Sequence, residues 1–172
     1  MGKDYDEPMF IDVKRSENKD DKKLDISDSV VQSIKELCED QSFGVLSTKG
    51  TDQPYSSLIG FATSYNLEYI VFATPVQTRK FNLLTHNEKV SVLIDNRSNQ
   101  PDSINRISAL TAIGSVTVLN QESDIKKWSN VLINKHPYLD KFINASSTAI
   151  VLIKVSKYFY VRRFQEVVEW TP

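Results

Sequence analysis

Between residues 42 and 74 the chain carries three runs of strand-forming residues, and the links between them are too short for a crossover. Residues 42–48, 55–63 and 67–74 are rich in aromatic and β-branched side chains, which suit a pleated, half-buried surface. Lys49-Gly50-Thr51-Asp52 and Ser64-Tyr65-Asn66 supply turn chemistry between them. A parallel pair needs a connection of about a dozen residues or more. The three strands therefore form an antiparallel meander.

The rest of the chain extends that plan. A helix begins near residues 27–29 and runs to about Asp40, with Val30, Ile34, Leu37 and Cys38 on one stripe. Pro75 stops the meander, and residues 77–86 read as a short helix with Phe81 and Leu84 inward. Residues 89–95 form a fourth strand, with Val90, Val92 and Ile94 on one face. The polar stretch 97–105 is a loop, and residues 108–119 form a long fifth strand. Gly114 in its middle signals a bulge or a close backbone approach. Residues 120–136 form a helix with Ile125, Trp128, Val131 and Leu132 inward, closed by Pro137, and residues 138–144 add a short helical turn. A final strand spans 148–164, with a kink near Ser156. Six strands with short connections favour closure into a small barrel, which removes exposed edges. Hydrophobic residues make up 40% of the 172, enough for one core. The expected organisation is a charged tail or arm over residues 1–26 and one domain over 27–172.

Several function classes are excluded early. The five glycines, Gly2, Gly44, Gly50, Gly60 and Gly114, lie too far apart for a glycine-rich phosphate loop. Any nucleotide phosphate must be gripped by side chains. Residues 1–28 hold six basic and nine acidic residues, and the remainder is close to neutral. That balance does not suit a nucleic-acid groove or a polybasic membrane patch. Cys38 is the single cysteine, and it falls on an apolar helical stripe, so it reads as core. His86 and His136 are isolated, so no metal-ligand spacing exists. No signal peptide or membrane span is apparent, and the expected location is cytoplasmic.

The stretch most suggestive of chemistry is Thr74-Pro75-Val76-Gln77-Thr78-Arg79-Lys80. It opens a helix, whose N-terminus attracts anions. Two cations there oppose the helix dipole unless they face a bound anion. A phosphate would take a bidentate guanidinium contact, an ammonium and hydroxyl hydrogen bonds. A neighbouring strand offers Tyr55-Ser56-Ser57-Leu58-Ile59-Gly60-Phe61.

With Phe72-Ala73-Thr74, Thr78-Arg79-Lys80-x-Asn82-Leu83 and Asn87-x-Lys89-Val90-Ser91-Val92, the chain resembles the FMN-binding split-barrel family related to pyridoxamine 5′-phosphate oxidase. Phe43-Gly44-Val45-Leu46-Ser47-Thr48 and Gln53-Pro54-Tyr55-Ser56-Ser57 are similar in order and type, and the likeness covers roughly residues 28–120. The resemblance implies a mainly β (α+β) fold, a six-stranded antiparallel split β-barrel with flanking helices. It implies a homodimer with non-covalent FMN in grooves at the dimer interface. Arg79 and Lys80 match the family's phosphate-binding pair, Thr78 the residue before it, and Thr74 the hydroxyl ending the third strand. Ser57, Leu58 and Ile59 match the segment beside the ribityl chain and ring. The implied activity is that of an FMN-dependent oxidoreductase. No catalytic residue is named, and substrate and electron donor are not implied. The oxidase's closing Arg-x-His is replaced here by Tyr158-Phe159-Tyr160-Val161-Arg162-Arg163-Phe164, with no histidine after His136. A vitamin B6 substrate therefore does not carry over. The alternative is a non-catalytic flavin, deazaflavin or haem binding protein.

Overall fold

In the computed structural model, which describes residues 28–50, 53–98, 106–162 and 166–172, the strands close into a barrel. The expected tail, residues 1–26, lies outside the described residues. Strands β1 (Phe43–Lys49), β2 (Pro54–Thr63) and β3 (Tyr69–Pro75) make the antiparallel meander. On its other edge β1 pairs with β4 (Lys89–Asp95), β4 with β5 (Ala109–Val118), and β5 with β6 (Thr148–Arg162), all antiparallel. The first half of β6 also pairs with β3, from Tyr69↔Lys154 to Pro75↔Thr148, and this closes six strands. The second half of β6 instead carries β7 (Glu166–Trp170), outside the barrel. Sequence signals predict no strand over these residues. Its residues reach the main core through Val168 and Trp170, and the Trp170 ring stacks on Tyr158 at 5.6 Å.

Alternation along the strands fills the interior. Leu46, Ile59, Phe61, Phe72, Val92 and Ile94 all point inward and are buried. Helix α1 (Asp28–Asp40) adds Val30, Ile34, Leu37 and Cys38 to the same core, as its stripe predicts. Fully burying one such side chain contributes about 1.5–3 kcal/mol. Strand β3 is apolar on both faces because a second layer covers its outside. There α3 (Glu122–Lys135) and α4 (Asp140–Ile143) pack Trp128, Leu132 and Ile143 against Ala62, Val71 and Ile150. A 3₁₀ turn, Pro137–Leu139, joins these two helices.

Two details of the backbone decide local shape. The third strand starts two residues later than expected, because Leu67 sits in the left-handed region at φ 61°. The turn is held by Leu67 N–H donating to the Ser64 carbonyl (2.9 Å) and Tyr69 N–H donating to Ser64 Oγ (2.9 Å). Tyr158 Oη donates to the Leu67 carbonyl at 2.8 Å from inside the barrel. The second detail is a register shift at Gly114, where a bulge or close approach is expected, opposite Ser156, where a kink is expected. The β5–β6 register shifts between Ile113 and Gly114, and Ser156 Oγ donates to the Ile113 carbonyl at 3.0 Å.

Candidate functional site

Helix α2 (Arg79–His86) begins where β3 ends, and the join is a cap built from two threonines. Thr78 has extended backbone geometry, and its Oγ1 accepts the Phe81 N–H at 3.2 Å, as an N-cap residue does. The same oxygen donates its one hydrogen to the Pro75 carbonyl at 2.9 Å. The 3.2 Å contact between the Thr74 and Thr78 hydroxyls is therefore donated by Thr74. Thr74 is 1% exposed. Both hydroxyls are consumed in shaping the join, and their effect on a ligand is to aim the helix start. A helix start leaves N–H groups without intrahelical partners.

That start carries Arg79 and Lys80, and both reach β2. Lys80 Nζ donates to the Leu58 carbonyl at 3.0 Å. Burial pushes the Lys80 ammonium below its usual value. The Arg79 guanidinium lies over the Tyr55 ring, 4.9 Å from its centre. Among the described residues neither cation has a carboxylate partner. Between their two anchor points stands Ser57, whose Oγ is buried without a hydrogen-bond partner. A buried hydroxyl left unpaired costs about 1–3 kcal/mol. Two cations without a carboxylate partner among the described residues thus contact the stretch of β2 that carries the orphan hydroxyl, and both sit on the first turn of α2. This set fits a phosphate, which accepts from all of them.

The remaining expected residues divide by strand face. Leu58 points away from the core and is 64% exposed, while Ile59 is 3% exposed and packs inside the barrel. Only the backbone of Ile59 is available to a ligand. The sequence offers Tyr55 within the neighbouring strand stretch but assigns it no role toward a ligand. Period-two alternation puts it on the same strand face as Ser57, which is the signal that finds it.

Other reactive groups are committed elsewhere. Cys38 is buried, and that burial pushes its thiol up to about 12. His136 is buried, with Nε2 donating to the Phe61 carbonyl at 2.8 Å and Nδ1 accepting from Tyr138 Oη at 3.0 Å. His86 Nδ1 is held by the Asn82 carbonyl at 2.7 Å. Trp128 belongs to the second core cluster. Among the described residues no group of three His, Cys, Asp or Glu side chains is placed to hold a metal, and no helix is long and apolar enough to cross a membrane.

A family model described as pyridoxamine 5′-phosphate oxidase matches residues 30–162. No curated protein matches the chain in sequence. Among solved structures, the fold is similar to a haem binding protein from Mycobacterium smegmatis (TM-score 0.67, 15% identity), covering 76% of this chain and 53% of that one. It is similar to Campylobacter jejuni ChuZ (TM-score 0.71, 10% identity), covering 83% and 59%. It is also similar to a putative pyridoxamine 5′-phosphate oxidase from Listeria innocua (TM-score 0.59, 16% identity), covering 81% and 98%. The chain spans about half the length of the haem binding protein it resembles. At these identities the structural likenesses speak to fold alone.

Proposed function

Because the chain belongs to the pyridoxamine 5′-phosphate oxidase family, we propose that it binds FMN non-covalently and acts as an FMN-dependent oxidoreductase. The observation that carries this reading is the meeting of Arg79, Lys80 and the orphan Ser57 hydroxyl on one segment of β2. Arg79 and Lys80 would hold the phosphate, with Ser57 donating to it or to the ribityl chain. Thr74 and Thr78 orient the helix that presents them. Leu58 contributes its carbonyl to Lys80, while its exposed side chain lies on the opposite, outer face of β2. Bound flavin supplies the redox chemistry through its N5. The chain's own part is binding, orientation and electrostatic tuning. The strand residues Tyr158–Arg162 do not carry the oxidase's Arg-x-His, so the proposed activity does not extend to vitamin B6.

The same reading includes a second copy of the chain. Leu58, Val45, Leu93, Thr111 and Phe159 form one row across β2, β1, β4, β5 and β6 on the outer face. None of the five is fully buried. Strand Leu58 also carries the carbonyl that anchors Lys80, so the row runs to the rim of the proposed site. A partner seated on this row would bury its apolar residues and wall the flavin groove.

A second reading is a binding protein without turnover, for flavin, deazaflavin or haem. Its support is the haem binding protein of similar fold. Against haem at His136 stand its two engaged ring nitrogens. The test is a visible spectrum of the purified protein supplied with FMN, followed by anaerobic addition of NADH, NADPH or a reduced deazaflavin. Flavin bands that bleach with one donor support the oxidoreductase. Bands that no donor bleaches support the binding reading, and an absence of flavin binding overturns both flavin readings.

A further inference from the structure

We propose that Tyr55 is a positioning residue for the anion site: its ring holds the Arg79 guanidinium with the hydrogen-bonding edge free, and so tunes the site toward a phosphorylated flavin. The inference rests on the flavin reading above. Arg79 is exposed on the first turn of α2. A long exposed side chain loses much rotamer freedom when it is held for a ligand. Something must offset that loss if the guanidinium is to be ready. A carboxylate would do so, but it would occupy the planar N–H fork that a phosphate needs. An aromatic ring holds the cation through its face and leaves the fork unoccupied. Arg79 has such a ring, Tyr55 at 4.9 Å, and no carboxylate partner among the described residues.

Tyr55 is itself well anchored. It lies on β2 opposite Thr48 of β1, and the Thr48 hydroxyl donates to the Tyr55 carbonyl at 3.1 Å. Thr48 is buried, so this support is rigid. Two residues along the same strand face is Ser57, with its unpartnered hydroxyl. The ring therefore sets Arg79 against the strand face that also carries Ser57. Lys80 is held differently, through one of its three N–H groups on the Leu58 carbonyl, which leaves two for a ligand. One cation is fixed through its face and the other through a single hydrogen, and both keep donors to spare.

The test compares Tyr55→Leu and Tyr55→Phe with the wild type, in the full chain, by fluorescence titration with FMN and with riboflavin. The Phe variant keeps the ring and should match the wild type for both ligands. The Leu variant should bind FMN about three- to tenfold more weakly, the range expected for a lost cation–π contact, with riboflavin affinity unchanged. Unchanged riboflavin binding also reports that the variant is folded. Adding Tyr55→Leu to Arg79→Ala should cost no further FMN affinity. Wild-type FMN affinity in Tyr55→Leu, or equal losses for both ligands, would overturn the positioning role alone. A wild-type protein that binds neither ligand, or binds both equally, would overturn the flavin phosphate reading and this inference with it.

Discussion

Replacing Gly114 with alanine adds one methyl group where β5 lies close against the backbone of β6. A Cβ at Gly114 would lie 2.3 Å from the Lys154 carbonyl oxygen and 3.0 Å from its carbon. Both are backbone atoms, so no side-chain rotamer relieves the contact. Either the bulge shifts or the β5–β6 ladder opens near Val155↔Gly114. Forced overpacking of this kind costs about 1–3 kcal/mol. For a protein of this size, each 1 kcal/mol lowers Tm by roughly 2–4 °C. Gly60→Ala is the matched control, since a Cβ there meets nothing nearer than Leu139 Cδ1 at 3.7 Å. Urea denaturation of both variants reads the difference directly. Gly114→Ala should lose at least 1 kcal/mol more than Gly60→Ala. Equal midpoints for the two variants would refute the argument that the bulge excludes a side chain.

Two further outcomes follow from buried polar groups. Tyr158→Phe deletes the donor to the Leu67 carbonyl and should cost about 1–3 kcal/mol in urea unfolding; a cost near zero would mean water replaces the hydroxyl. Burial pushes the Lys135 ammonium down to about 8, while its Nζ donates to the Cys38 and Gln41 carbonyls at 2.6 and 2.7 Å. A neutral amine still has two N–H groups, so both bonds survive deprotonation. A lysine whose pKa is lowered on folding gives stability that grows as pH rises from about 8 toward its unfolded value of 10.5. The raised Cys38 thiol acts in the opposite sense above pH 9, its unfolded value. The comparison is therefore made between wild type and Lys135→Met from pH 7 to pH 9. The wild type should gain stability relative to the variant over that interval, and parallel curves would contradict the sign.

The barrel was legible because its signals are local. Tight links force antiparallel pairing, and residues such as Val90, Val92 and Ile94 show their face by alternation. Gly114 betrayed the bulge because a strand interior tolerates glycine poorly without a reason. Strand β7 was not legible. Glu166–Trp170 is too short and too charged to stand out, and it is a strand only because the long β6 extends past the barrel to pair with it. The early start given to β3 failed for a related reason: Leu67 looks like a strand residue but is buried from within a turn.

The candidate site was legible in its cations and less so in its scaffolding. Arg79 and Lys80 stood out because basic residues are unfavourable at a helix start. That Thr74 and Thr78 would spend their hydroxyls on the cap depends on a hydrogen-bond chain that only coordinates reveal. The pairing of Arg79 with Tyr55 likewise spans two elements distant in sequence.

The central claim is that this chain holds a flavin by its phosphate through side chains. Equilibrium titration of the wild-type protein with FMN, and separately with riboflavin, tests it most directly. Each charge-assisted hydrogen bond contributes about 1.5–3 kcal/mol, so FMN should bind at least about tenfold more tightly than riboflavin, and Arg79→Ala should narrow that gap. Equal affinity for the two ligands, or no binding of FMN, would contradict the claim.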